Sequence, residues 1–377
     1  MTPTALMRQT PETPTLRQLR REVRGFLQEE MATGSFTPRP DSWQSATDPA
    51  FSRRLAARGW VGMTLPPEYG GQGRSSLERY VVTEELLAHG APVAAHWIAD
   101  RQMGPSILKN GTERQRRHYL PAIARAEKFF AIGMSEPDAG SDLASVRTKA
   151  VSDGDGWRIS GTKVWTSVAH ISHAMVVLAR TDPGERHTGL SQFIVDLPNP
   201  GVTIRPIITV DGAHHFNEVV FDEAHVDDSA LLGTRGEGWA QVTAELAYER
   251  SGPERILSTY PVLHAWARTL GPQDTAEQLE LGRLTARLSV LRQLSLGVAA
   301  QLAKGGAPAR EAALVKDLGT AFESEVTETI RRFAKVRPGD ASAPLGGLLA
   351  EAVLHAPAFT LRGGTSEVLR SIVAKGL

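Results

Sequence analysis

Met134-Ser135-Glu136-Pro137-Asp138-Ala139-Gly140-Ser141-Asp142 and, a short way on, Gly161-Thr162-Lys163-Val164-Trp165-Thr166-Ser167 are the stretches on which the reading of the fold turns. Both lie in the middle third of the chain, which reads as strands. Phe129 to Met134, Trp157 to Ser160, Ala174 to Ala179, Phe193 to Val195, Val202 to Ile204 and Glu218 to Phe221 are short and rich in β-branched or aromatic residues. Gly154-Asp155-Gly156 is a hairpin signal. Together these segments predict a compact β-barrel or sandwich domain.

The flanks read differently. Upstream, Leu16, Leu19, Val23, Phe26 and Leu27 recur at helical spacing. Thr112 to Gln115 has the form of a capping box ahead of a helix from His118 to Ala126. Between them, the Pro and Gly of residues 66–73 force a turn. Downstream, Leu281, Leu284, Leu288, Leu291, Leu294, Val298 and Leu302 form one long apolar stripe. Val315, Leu318, Phe322, Val326, Ile330 and Phe333 form a second. Such stripes pack as a bundle. Gly305-Gly306-Ala307-Pro308 turns between them, and Arg337 to Gly347 reads as a further loop.

Composition removes several functions. The 42 Lys+Arg balance 42 Asp+Glu among 377 residues, without the basic excess of a nucleic-acid binder. Apolar residues make up 41%, yet no run approaches the roughly 18 that a membrane span needs. The first fifteen residues carry no signal-peptide core, and the expectation is a cytoplasmic protein. With no cysteine, disulfides, thiolate catalysis and iron–sulfur clusters are excluded. His170 with His173, and His214 beside His215, lack a surrounding carboxylate framework, so they read as surface or hydrogen-bonded histidines and no metal is expected. P-loop, dinucleotide-fold and nucleophile-elbow motifs are missing.

With Gly363-Gly364-Thr365-Ser366-Glu367-Val368-Leu369-Arg370 near the C-terminus, the two central stretches resemble the acyl-CoA dehydrogenase family, from about Trp60 onward. The resemblance implies an α+β multidomain fold: an N-terminal helical domain (1–127), a β-domain (128–235) and a C-terminal four-helix-bundle domain (236–377). It also implies FAD as cofactor, an acyl-CoA substrate, an electron-transfer flavoprotein as acceptor and an oligomer, either a homodimer or homotetramer or a heterotetramer with a related chain. A flavin needs an apolar wall, donors at its ring edge and a partner for its pyrophosphate. Trp165 offers a flat surface, and Ser167, two residues along a strand, points to the same face. The resemblance assigns Met134, Ser135, Trp165, Thr166 and Ser167 to the flavin ring. It assigns Ser141 to the flavin phosphates and the CoA end of the substrate, Thr365 to the FAD phosphates, and Arg268 to the adenosine half. Taken singly, each Ser or Thr reads as a turn cap.

The family reaction removes an α-proton and a β-hydride from a CoA thioester. The α-proton needs a carboxylate base held in a dry pocket. Many members carry that Glu just before the C-terminal Gly-Thr; here the position is Gly363, preceded by Arg362. A minority place it on the first helix after the β-domain, where this chain has Tyr248-Glu249-Arg250. The resemblance therefore assigns Glu249 as the base, with Tyr248 and Arg250 beside the substrate. Glu136 reads as a local backbone acceptor and Glu367 as structural. Gly252-Pro253 reads either as a kink that widens the acyl pocket or as a simple helix break, and Arg101 either as a contact for a polar acyl tail or, in preference, as a surface ion pair. The usual Gly-Gly-x-Gly after Phe333 is missing, as in a subgroup from actinobacterial catabolism of steroid side chains and other bulky acyl groups. Two other readings stay open: a flavin monooxygenase or nitro-group enzyme on the same fold, and a partner subunit of a heteromeric dehydrogenase.

Overall fold

A computed structural model describes residues 11–184, 186–250 and 252–375; of the side chains of residues 246–249 nothing is described. The first helices are α1 (Pro14–Ala32), α2 (Ser42–Ser45), α3 (Pro49–Ala57), α4 (Ser76–Ala88), α5 (Ala94–Ile98), α6 (Gly104–Asn110) and α7 (Glu113–Ala124). Strands follow: β1 (Phe130–Gly133), β2 (Lys149–Ser152), β3 (Gly156–Ser167), β4 (Ala174–Arg180), β5 (Leu190–Asp196), β6 (Val202–Ile208), β7 (His214–Asp227) and β8 (Leu231–Leu232). The chain then returns to helices: α8 (Gly238–Glu249), α9 (Tyr260–Ala267), α10 (Thr275–Leu302), α11 (Ala309–Phe333), α12 (Pro344–Phe359) and α13 (Ser366–Ala374).

Local chemistry sets these boundaries. Pro14 opens α1, the Thr13 hydroxyl accepts the Leu16 N–H, and all five apolar residues of the expected stripe are buried. The Thr112–Gln115 capping box is formed, but it starts α7 at once, at Glu113 rather than His118. Pro121 is carried inside the last turn. In the Pro/Gly turn a short 3-10 segment, Pro67–Tyr69, is closed by Gly70 at φ 81°. A Cβ on Gly71 would lie 2.0 Å from the Leu65 carbonyl oxygen, so only glycine fits there.

The strands form one sheet in the order β6-β7-β3-β2-β4-β5-β8, with β1 parallel on β4. The hairpin at residues 154–156 joins antiparallel β2 and β3. Two strands escaped the sequence reading. β2 buries one residue of its four, and β8 has only two residues. Six of the seven residues of β4 are buried. Met175, Val177 and Ala179 pack with Trp157, Phe193 and Phe221, and Ala174 and Val176 with Ile107, Leu120 and Phe130. A continuous apolar run is what a strand covered on both faces requires.

The chain divides into two compact units. One comprises the segment ending at Thr47, Arg74–Val93 and the chain from Ala247 onward; the other comprises Asp48–Gly73 and Ala94–Leu246. In the first unit, the turn at residues 305–308 separates α10 from α11 as expected. Leu318 and Phe333, read as core from their spacing, are exposed instead. The loop read as running to Gly347 stops earlier, because Pro344 begins α12.

Candidate active site

The segment after β1 is built around Glu136. Its backbone closes a turn with Ala139, N–H to O in both directions (2.9 and 3.1 Å). Its carboxylate accepts the backbone N–H of Arg147 (2.6 Å) and of Thr148 (2.8 Å), the local role expected of it. It also accepts the Lys163 ammonium at 2.8 Å, and Lys163 Nζ donates to the Met134 carbonyl at 3.0 Å. Lys163 has no exposure to solvent. Burial drags its pKa well down, against the pull of Glu136. Burial pushes Glu136 up, but the Lys163 charge and the donors on its carboxylate outweigh that and hold it below the usual range. The Val164 N–H donates to the Ser135 carbonyl (2.9 Å), so β3 is fastened along Met134-Ser135-Glu136. Met134 and Ser135 are half-buried, and Ser141 is exposed beyond the turn.

Strict strand alternation through Trp165 does not hold. The pairing with β7 slips between Lys163 and Thr166, which oppose Val219 and Asn217, and Trp165 takes φ 57°. This bulge turns both Lys163 and Thr166 inward and leaves two residues between them. Trp165 is 58% exposed, whereas Trp43, Trp97, Trp157 and Trp266 are buried. It meets Phe216 edge-on at 5.8 Å. Ser167 is half-buried, and the buried Thr166 hydroxyl has no protein partner. An open aromatic face flanked by hydroxyls is a donor set that fits a flavin ring.

The C-terminal stretch is held by cations. Gly363 and Gly364 adopt φ 67° and 99°, and the Thr365 hydroxyl caps α13 at Val368. Arg250 Nε donates to the Gly363 carbonyl (3.2 Å), and the fully buried Lys316 donates to the Gly364 carbonyl (2.8 Å). Arg362 makes a two-pronged pair with Asp41 (2.5 and 2.7 Å) and stacks on Trp43 at 4.5 Å; Arg255 stacks on the same ring at 4.9 Å. Behind them, fully buried Glu323 accepts the Ser258 N–H at 2.7 Å. Burial pushes Glu323 up to about 7 against the opposing charge of Arg362.

Glu249 and Tyr248 end α8, but their side chains lie outside the described residues. Gly252-Pro253 breaks the helix: α8 stops at Glu249, and Pro253–Arg255 is a separate 3-10 turn. Arg268 is exposed on the wall of a cleft of about 910 Å³ that Arg20, Arg24, Tyr260, His264 and Arg292 also line. Arg101 is not a surface residue. It is buried in a π-helical turn, Ala99–Met103, and stacks on Trp97 at 4.8 Å; its neighbour Asp100 accepts the Gly62 N–H at 2.7 Å. The histidines are hydrogen-bonded as read: His170 stacks on His214, both reach Asn217, and His173 Nδ1 accepts the Phe129 N–H.

Family models for the acyl-CoA dehydrogenase N-terminal, middle and C-terminal domains match residues 13–127, 131–224 and 236–377. The chain belongs to the acyl-CoA dehydrogenase family. It is 33% identical to the acyl-CoA dehydrogenase FadE29 of Mycobacterium tuberculosis over 96% of both chains. It is 40% identical to the acyl-CoA dehydrogenase IpdE1 of the same organism, over 71% of this chain and 69% of that one. A solved structure described as the Tcur3481-Tcur3483 steroid ACAD superposes with a TM-score of 0.86 at 30% identity, covering 97% of each chain. The chain is thus an oxidoreductase of a flavoprotein family that dehydrogenates acyl-CoA. No helix among the described residues is long and apolar enough to cross a membrane.

Two fully buried lysines, Lys163 and Lys316, stand outside the set of site residues that the sequence points to. Lys163 carried a signal, being a charge at strand spacing among residues that must be inside. Lys316 lies one residue past Val315 on an amphipathic helix, where a lysine reads as a solvated edge.

Proposed function

We propose that this chain binds FAD and dehydrogenates a bulky acyl-CoA between Cα and Cβ, with Glu249 as the base. The observation that carries the reading is the state of the C-terminal stretch. Gly363 occupies the position where many relatives hold the base and has no group to take a proton. Arg362 before it is engaged with Asp41. Arg250, the residue after Glu249, reaches the Gly363 carbonyl, so the end of α8 is tied to that stretch.

When bound, FAD supplies the hydride acceptor and a ribityl hydroxyl that helps polarise the thioester oxygen. The Glu249 carboxylate receives the α-proton. Trp165 covers the flavin ring, Met134, Ser135, Thr166 and Ser167 meet its edge, and Thr365 meets the phosphates. Arg268 faces the adenosine half. Ser141 serves the phosphates and the CoA end, and Tyr248 and Arg250 flank the acyl group. The likeness to the steroid ACAD supports a steroid-like acyl group. That structure is described by a pair of chain designations, which supports assembly with a related chain as the alternative to a homo-oligomer. An electron-transfer flavoprotein is the proposed acceptor.

The test is anaerobic bleaching of the flavin by steroid side-chain and short-chain acyl-CoAs in wild type and Glu249→Gln. The rate should fall roughly 10²–10⁴-fold in the variant through loss of the base. A variant that bleaches at the wild-type rate rules Glu249 out. Oxygen consumption by the reduced flavin with product bound would favour the monooxygenase reading.

A further inference from the structure

Lys316 is a cation with no exposure to solvent on a helix, α11, whose other inward residues include Ala312, Val315, Gly319 and Phe322. Burying an ammonium is expensive unless it is met by strong acceptors. One acceptor it meets is a peptide carbonyl, that of Gly364, at 2.8 Å. The preceding carbonyl, that of Gly363, is met by Arg250, which is also buried. Two cations from separate elements thus grip successive carbonyls of one turn. Both glycines are left-handed, and a Cβ on Gly364 would come within 3.3 Å of the Arg250 guanidinium. That turn delivers Thr365 to the N-cap of α13.

From this we propose that Lys316 is a positioning residue for the dehydrogenation, acting as half of a two-cation clip on Gly363–Gly364. Its role rests on the assignment of Glu249 and Thr365 above. Arg250 follows the base directly in sequence, and Thr365 follows the gripped turn directly. The clip therefore sets the base-bearing end of α8 against the turn that meets the cofactor phosphates. A charge-assisted bond to a carbonyl also polarises its peptide unit. The bonds at Gly363 and Gly364 thereby strengthen the N–H donors of Gly364 and Thr365. An uncharged donor would hold the turn with less polarisation, and an apolar side chain would do neither.

The test compares Lys316→Met and Lys316→Gln with wild type. It reads FAD affinity by flavin fluorescence, kcat and KM with an acyl-CoA, and hydrogen exchange of amides 363–369. Losing one charge-assisted bond should weaken FAD binding and lower kcat roughly ten- to hundredfold in Lys316→Met, with KM changed little. Exchange at 363–369 should quicken by about the same factor. Lys316→Gln should recover part of each. Folded variants within about twofold of wild type on all readouts overturn the proposal. If Lys316→Met does not fold, Lys316→Gln decides alone by the same criteria. A wild-type protein that fails to oxidise acyl-CoA sinks the Glu249 reading, while amide exchange still judges the clip.

Discussion

Replacing Lys163 by methionine would remove the cation from a pair whose partners are almost wholly enclosed, with side chains 0% and 8% exposed. Glu136 would keep its two backbone donors, Arg147 and Thr148, but would carry its charge into the interior alone. Breaking a buried pair from one side costs roughly 3–5 kcal/mol. The Met134 carbonyl also loses its donor, at about 1 kcal/mol, and the new apolar side chain returns about as much by burial. The net loss is therefore about 3–5 kcal/mol, taken from the unit that holds the sheet. At about 2–4 °C per kcal/mol for a unit of this size, the melting temperature should fall by roughly 6–20 °C. The measurement is thermal and urea unfolding of wild type, Lys163→Met, Glu136→Gln and the double variant at neutral pH. The double variant should be less destabilised than the sum of the singles, with a coupling of at least about 1.5 kcal/mol. A single variant melting within about 2 °C of wild type, or additive losses (a tolerance set by the usual scatter of such cycles), would show that the pair is not what fastens Met134-Ser135-Glu136 to β3.

Two further outcomes follow from other parts of the structure. Glu323 takes up a proton near pH 7 when folded, and only near its ordinary value of 4.5 in the unfolded chain, because burial opposes its charge. Its contribution to stability is complete below about pH 4.5 and is lost as pH rises through 7. Glu323→Gln should accordingly gain on wild type with rising pH, by up to about 3 kcal/mol at about pH 8, and match it near pH 4.5; a pH-independent difference in denaturation midpoint contradicts this. At the left-handed Trp165, glycine and alanine lose the same ring contacts but only glycine is at ease with the backbone. Trp165→Gly should therefore be more stable than Trp165→Ala by about 1 kcal/mol, and both should release flavin; equal stability would mean the bulge is not strained.

The sequence carried the α–β–α order clearly, because each third had its own period and its own breakers. Thr112 and Gln115, the hairpin glycines and the α1 stripe all landed where local chemistry put them. What it hid were events that depend on partners far along the chain. Period-2 reasoning puts Lys163 on one face with Trp165, and only pairing with β7 reveals the bulge that separates them. Leu318 fits an apolar stripe, yet among the described residues it stays exposed. Lys316 looks solvated until the glycine turn, some fifty residues later, is seen to close over it. Arg101 is the exception: Trp97, the ring it stacks on, stands only four residues earlier, and what its sequence does not announce is that packing buries the π-helical turn.

The segmented make-up of the two units bears on how the chain is made. The sheet-bearing unit is complete once Leu246 has left the ribosome. Helices α1 and α4 are synthesised early, but α4 packs on α9 and α10, which come much later. Until those emerge, α1 and α4 pack on each other without the cover that α9 and α10 later give to α4. Nascent chains paused after Leu246 should hold a folded sheet and an unfinished helical half, and that is the interval in which chaperones would be needed most.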